Sequence, residues 1–334
     1  MKVRAALLEG IGKVKVVDRQ LEIADTGVLV KTHASSICLA DVQVYRKGYY
    51  AEGKPLPLPL YPGHEGGGVV EAVGSRVHEF KPGDKVMLMH DVRSGGLGPG
   101  GMATHFVTDP ENLIPVPNEM DMDLASLGET IAPFVFVVHR CGVKLGDTVA
   151  VTGLNFIGQI VAQGVKKSGA HKVIVIDNNE FRLNLAQELG ADVAIHTERE
   201  IAHEAVMDLT GGRGADLVCQ TAAYVDPTVE QYMALATELV RPMGILAFQG
   251  DFLHPINIHL HRWHHEALDV RCIAFRHYSW QQIHAWTLET LKPVIYEMIK
   301  IKPLITATYS LENIEDAFQE ASGNPNCLKV VIRP

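Results

Sequence analysis

Near residue 145 the chain changes its repeating pattern, and that change limits the fold more than any other feature. From residue 1 to about 125, short β-prone runs at 27–33, 68–73 and 84–88 are punctuated by glycine and proline, with turns at Pro62-Gly63 and Pro82-Gly83. This predicts a β-rich domain of barrel type. Beyond 145, strand-like runs at 147–152, 171–176, 192–195, 215–219, 244–248 and 270–275 alternate with helix-length segments. The helix over 180–189 is stopped by Gly190. Strands separated by helices predict a parallel, doubly wound sheet. A long helical stretch broken near Pro293 and a last strand around 328–332 complete the chain. The expected division is a catalytic domain of residues 1–129 with 277–334, and a nucleotide domain of 130–276. The fold class is α/β.

Bulk properties narrow the function. At 334 residues the chain has room for two domains and ample core. A net charge of −9 gives no general attraction for nucleic acid. The longest apolar run, 131–138, is far short of a membrane span. The opening MKVRAALLEG has no signal-peptide core, because Glu9 interrupts it. Five cysteines, Cys38, Cys141, Cys219, Cys272 and Cys327, are scattered and never form C-x-x-C. That argues against a disulfide framework or a thiolate-only zinc site and fits a cytoplasmic location.

Gly153-Leu-Asn-Phe-Ile-Gly158 follows a strand and opens a helix, the context a dinucleotide-binding loop requires. Gly153 allows the tight turn and Gly158 the close helix–strand packing. A pyrophosphate would then sit at the helix N-terminus. Asn155 replaces the middle glycine, and its tolerance of left-handed backbone angles keeps the turn possible. Asp177 ends the second strand, where an acid accepts from the adenosine ribose and disfavours a 2′-phosphate. It favours NAD, with Arg182 one helical turn on as a partial offset. The plainer alternative is that Asp177 caps the helix starting near Asn179. Phe156, Ile157, Thr221 and Phe248 complete the candidate cofactor-binding set.

Three segments carry the candidate chemistry: Cys38-Leu-Ala-Asp41, Pro62-Gly-His-Glu-Gly66 and Gly128-Glu-Thr-Ile131. Singly, Cys38 reads as an inert thiol, His64 as a turn residue and Glu129 as a helix-start acid. Together with the nucleotide loop they resemble the zinc-containing medium-chain dehydrogenases, nearest the polyol (sorbitol-type) and threonine dehydrogenase branch. The resemblance extends to Gly100-Gly-Met-Ala-Thr-His-Phe106, Arg241-Pro-Met-Gly244 and Leu311-Glu-Asn-Ile-Glu-Asp-Ala-Phe318. It implies a GroES-like catalytic domain and a Rossmann NAD-binding domain. It also implies a catalytic Zn²⁺ held by Cys38, His64 and an acid, Glu129 by counting, with Glu65 as its rival. Asp41 would orient His64 through the ring N–H. The activity implied is hydride transfer between NAD and an alcohol, polyol or sugar, in a homodimer or homotetramer paired through the strand near 270–275.

Two departures matter. The cysteine-rich lobe that holds a second, structural zinc is absent, since the stretch between Leu88 and Phe106 has no cysteine. One zinc per chain is expected. Ala40 stands where the family usually has a hydroxyl that relays the proton, and Gln43 where a relay histidine is common. Glu65, Glu129, a zinc-bound water, Tyr45, Tyr49 and Ser36 are the alternatives.

His254, His259, His261, His264 and His265 form a histidine-rich stretch without a completing acid or thiolate, read as surface or interface, with adventitious metal binding through His261 and His265, i,i+4 neighbours if helical, as the alternative. Trp263, Trp280 and Trp286 are read as packing residues. Two competing functions remain: a zinc-free, NADPH-using, quinone-reductase-like enzyme, and a nucleotide-binding protein that has lost catalysis.

Overall fold

The computed structural model describes residues 1–51, 54–89, 98–222, 229–249, 255–274 and 278–334. They form two compact units, Met1–Ala132 with Lys302–Pro334, and Pro133–Ile301. Each has its own apolar core.

The first unit is built on a seven-stranded sheet. Its path runs Ala307–Ser310, Val330–Arg333, Val28–Ile37, Gly66–Val73, Lys85–Leu88 and Leu113–Pro115, and His105–Thr108 pairs with Val28–Ile37 off that path. Strand Val28–Ile37 is buried on both faces over Ala34–Ile37, where alternation gives way to continuous burial. Val28, Val30, Val70, Val86, Leu88, Phe106 and Leu113 make one core, the apolar faces of paired strands meeting in a barrel-type interior. A separate hairpin pairs Lys2–Gly10 with Lys13–Gln20. The C-terminal tail returns to this unit. Val330 lies opposite Ile37, Val331 opposite Ser36 and Ile332 opposite Ser35 in antiparallel register.

The second unit holds a six-stranded, all-parallel sheet. In order across it stand Val193–His196, Lys172–Asp177, Thr148–Thr152, Ala215–Gln220, Val240–Phe248 and Asp269–Cys272. In sequence order this is 3-2-1-4-5-6, the doubly wound arrangement, with its topological switch beside Thr148–Thr152. The central strands are apolar without alternation because helices cover both faces.

Some boundaries move. Strand Val240–Phe248 starts four residues before the expected 244 and takes in Pro242. The strand expected over 270–275 ends at Cys272, and Phe275 lies outside the described residues. Helix Trp280–Ile295 runs through Pro293 and ends two residues later. This helix, assigned from sequence to the first domain, belongs to the second unit. The reason is its apolar face: Trp286 stacks on Phe136 at 5.1 Å and meets Tyr278 edge-on at 4.2 Å. Trp263 is also a packing residue, its indole N–H donating to Thr237 at 3.2 Å. The side chain of Trp280 and all of His254 lie outside the described residues. No helix among the described residues is long and apolar enough to cross a membrane.

Candidate metal centre and nucleotide loop

Cys38 ends the strand-to-helix turn. It is the N-cap of helix Leu39–Lys47, in extended conformation, and its backbone N–H donates to Asp41 Oδ2 at 3.0 Å. His64 and Glu65 follow the Pro62-Gly63 turn, which is pinned by Gly101 N–H donating to the Gly63 carbonyl at 2.9 Å. Glu65 leads directly into strand Gly66–Val73, whose pairing with Val28–Ile37 brings it beside Cys38. One ligand atom from each of Cys38, His64 and Glu65 lies within 4.8 Å of the other two. This is the only such three-residue group among the described residues.

Glu65 is fully buried and its two oxygens differ. Oε2 receives the Ser36 hydroxyl and lies 2.5 Å from Lys329 Nζ. Oε1 is buried with no hydrogen-bond partner among the described residues. Lys329 is only 5% exposed and also donates to Thr130 Oγ1 at 3.4 Å. It is the residue that sequence reasoning missed. Its only signal is a charge interrupting the apolar run of the last strand, and the position of that strand against Val28–Ile37 was not legible.

Asp41 Oδ1 lies 3.9 Å from His64 Nδ1, an ion-pair distance too long for a hydrogen bond. Glu129 opens helix Gly128–Cys141 and stands outside the group of three. Ala40 and Gln43 are both buried. Tyr45 is packed into the core, its ring 5.1 Å from that of Phe318, and Ser36 is committed to Glu65.

The charges lean on one another. Burial raises the Cys38 thiol, and Glu65 adds to this. Burial disfavours the His64 imidazolium, but Cys38 and Asp41 outweigh it and hold the ring well above its ordinary value. Burial likewise opposes the Glu65 carboxylate, yet Lys329 and His64 keep it below the usual range. Burial pushes Asp41 up to about 6 and Glu129 up to about 7, each against the pull of His64. A thiol, an imidazole and a carboxylate with one unpartnered buried oxygen are a donor set that suits Zn²⁺.

In the second unit, Gly153 has φ +82°, and a Cβ there would sit 2.7 Å from the Ala222 N. At Gly158 a Cβ would lie 2.1 Å from the Gly153 carbonyl oxygen, so only glycine lets helix Phe156–Lys167 approach the strand. Asn155 is not in the left-handed region: its φ is −64° and ψ −171°. Its role is capping, because Oδ1 accepts from Ile157 N at 2.9 Å and Gly158 N at 3.2 Å. Asp177 accepts from Leu154 N at 2.5 Å and Asn179 N at 2.9 Å, and Arg182 lies 4.0 Å from it. The N-cap of helix Glu180–Glu188 is Asn179, not Asp177. Thr221 donates its hydroxyl to Gly153 O at 2.5 Å and so ties the loop to the neighbouring strand. The Phe156 and Ile157 side chains are buried, and Phe248 ends its strand opposite Gln220.

His261 and His265 have ring centroids 4.0 Å apart on helix Leu260–His265, but no acid or thiolate joins them in a three-ligand group among the described residues.

Two family profiles match the chain: the alcohol dehydrogenase GroES-like domain over residues 24–118 and the zinc-binding dehydrogenase domain over 157–289. An L-threonine 3-dehydrogenase of Bacillus subtilis is 31% identical over 94% of this chain and 92% of its own length. The chain belongs to the zinc-binding dehydrogenase family. A sorbitol dehydrogenase of B. subtilis is 28% identical over 99% of this dehydrogenase and 97% of its own length. Among solved structures, an Escherichia coli oxidoreductase of unknown specificity superposes with a TM-score of 0.84 at 26% identity, over 100% and 99% of the two chains. The GroES-like and Rossmann architectures are those of this family, and this dehydrogenase is an oxidoreductase of the alcohol and polyol dehydrogenase type.

Proposed function

We propose that the chain is a dehydrogenase carrying one catalytic Zn²⁺ and using NAD to oxidise a secondary alcohol, polyol or sugar, or to reduce the matching carbonyl. The observation that carries this reading is the convergence of Cys38, His64 and Glu65, with Glu65 Oε1 buried and unpartnered. Cys38, His64 and Glu65 would hold the metal. Glu65 replaces Glu129 as the acidic ligand, because Glu129 stands outside the group. Zinc held there supplies Lewis acidity to a substrate oxygen, and bound NAD supplies the hydride acceptor.

The chain's own residues do the rest. Lys329 and Ser36 hold Oε2 of Glu65, which leaves Oε1 without a hydrogen-bond partner among the described residues and offsets one negative charge. Asp41, 3.9 Å from His64 Nδ1, acts on the ring through its charge rather than by the hydrogen bond expected from sequence. Ala40 and Gln43 offer no proton relay, and Tyr45 and Ser36 are engaged elsewhere. Glu129, a buried carboxyl that desolvation pushes up to about 7 against the pull of His64, is the proposed acceptor of the substrate proton. The loop over 153–158 receives the dinucleotide pyrophosphate, and Asp177 beside it favours NAD over NADP. The proposed assembly is a homodimer or homotetramer formed through strand Asp269–Cys272, which pairs on one side only among the described residues.

Zinc analysis together with a substrate panel tests the reading. The panel should contain threonine, sorbitol and aliphatic secondary alcohols, each with NAD and NADP at alkaline pH. The expected result is one zinc per chain, NAD-dependent oxidation of a panel member, and loss of zinc and turnover in Glu65→Gln. Zinc and tight NAD binding without turnover of any substrate would favour a nucleotide-binding protein that has lost catalysis.

A further inference from the structure

The nucleotide loop is closed by its own side chains. Asn155 Oδ1 accepts from the amides of Ile157 and Gly158, and Asn155 Nδ2 donates to the Thr221 carbonyl at 3.0 Å. Asp177 takes the Leu154 amide. Amides at the start of this helix are the donors that such a loop turns toward a pyrophosphate. A loop with glycine at 155 has no side chain to set against them. The backbone does not require asparagine there, since φ −64° and ψ −171° suit any residue. The carboxamide therefore does something the turn itself does not need.

We propose that Asn155 is a displaceable cap, which competes with the cofactor pyrophosphate for the Ile157 and Gly158 amides and holds dinucleotide affinity below that of the same loop with glycine. The inference rests on the nucleotide reading given above. On binding, the carboxamide swings off both amides and gives up its bond to Thr221. Phosphate oxygens then take the released N–H groups. Charged phosphate is the stronger acceptor, so the exchange runs forward, reduced by the lost cap and tether. The loop keeps its shape meanwhile, because Thr221 Oγ1 still holds Gly153 and Asp177 still holds Leu154. Only ligands with a pyrophosphate feel the competition. The effect is common to NAD and NADP and leaves their ratio unchanged.

The test measures Kd for NADH, NADPH, ADP-ribose and adenosine on the zinc-loaded full chain, in wild type, Asn155→Gly and Asn155→Ala. Both replacements suit the observed backbone, so either serves if the other folds poorly. NADH, NADPH and ADP-ribose should bind about fivefold more tightly to both variants, the size of an ordinary N-cap contribution. Adenosine affinity should not change. Unchanged or weakened NADH binding in the variants overturns the proposal, as does an adenosine affinity that shifts in parallel. Wild type that binds neither NADH nor NADPH overturns the nucleotide reading itself, and the cap with it.

Discussion

A buried lysine and a buried glutamate each cost several kcal/mol to strip of water, and Lys329 and Glu65 persist in the first unit as a pair. Lys329→Met should leave Glu65 charged and uncompensated, lowering stability by about 3–5 kcal/mol, read as a fall in the urea midpoint. Glu65→Gln added to Lys329→Met should restore part of the loss, giving a clear coupling in a double-mutant cycle. Glu129 has the opposite character. Its carboxyl titrates near 7 in the folded chain against 4.5 for the ordinary group. Between those values the folded state holds a proton that the unfolded state has released, so stability falls as pH rises. In chelator-treated protein, Glu129→Gln should flatten the decline in urea midpoint between about pH 5 and pH 7. An unaltered slope would sink that assignment. At this scale the sequence was partly readable. Cys38, His64 and Glu65 stand in short segments whose residue types suit a metal. Lys329 was unreadable because its meaning comes from Val330 pairing with Ile37, a contact between distant strands. Glu129 was placed by counting, which cannot say that Glu65 is closer.

Elements were more legible than single contacts. Parallel strands buried on both faces must be continuously apolar, so the alternation of strands and helices after residue 145 showed in the sequence. Boundaries slipped where neighbours override local propensity. Val240–Phe248 extends through Arg241-Pro-Met-Gly244 because Ala215 already pairs with Val240. Asn155 kept its predicted place in the loop, but its work is capping rather than a left-handed turn. The helix–strand approach at Gly158 gives a test at this scale. In Gly158→Ala the new Cβ would meet the Gly153 carbonyl, and helix Phe156–Lys167 must shift outward. NADH affinity should drop at least about tenfold. Zinc content should stay at its wild-type value, because the candidate ligands belong to the other unit. A Gly158→Ala protein that binds NADH normally would show that the close approach is not needed.

For the whole molecule, the two-domain division was readable from the change of pattern, but not its second boundary. The tail of the first unit begins at Lys302 rather than 277. No local pattern marks that point, because Trp286 chooses its unit by stacking on Phe136. Assembly belongs to this scale as well. Light scattering should give a mass of two or four chains, and Val270→Pro, which disturbs the open edge of strand Asp269–Cys272, should shift it toward one chain. A wild-type monomer would refute the proposed pairing.

The return of the tail also bears on how the protein is made. The first unit is interrupted by the whole of the second, and the cation that compensates Glu65 is residue 329 of 334. During synthesis the second unit has its complete sequence before the first does. The nascent first unit must hold an unsatisfied carboxylate, or leave that region open to water, until the last strand leaves the ribosome and slides in beside Val28–Ile37. The region around Glu65 is thus completed by a strand made only after the whole of the second unit, and it cannot close while that unit is being synthesised.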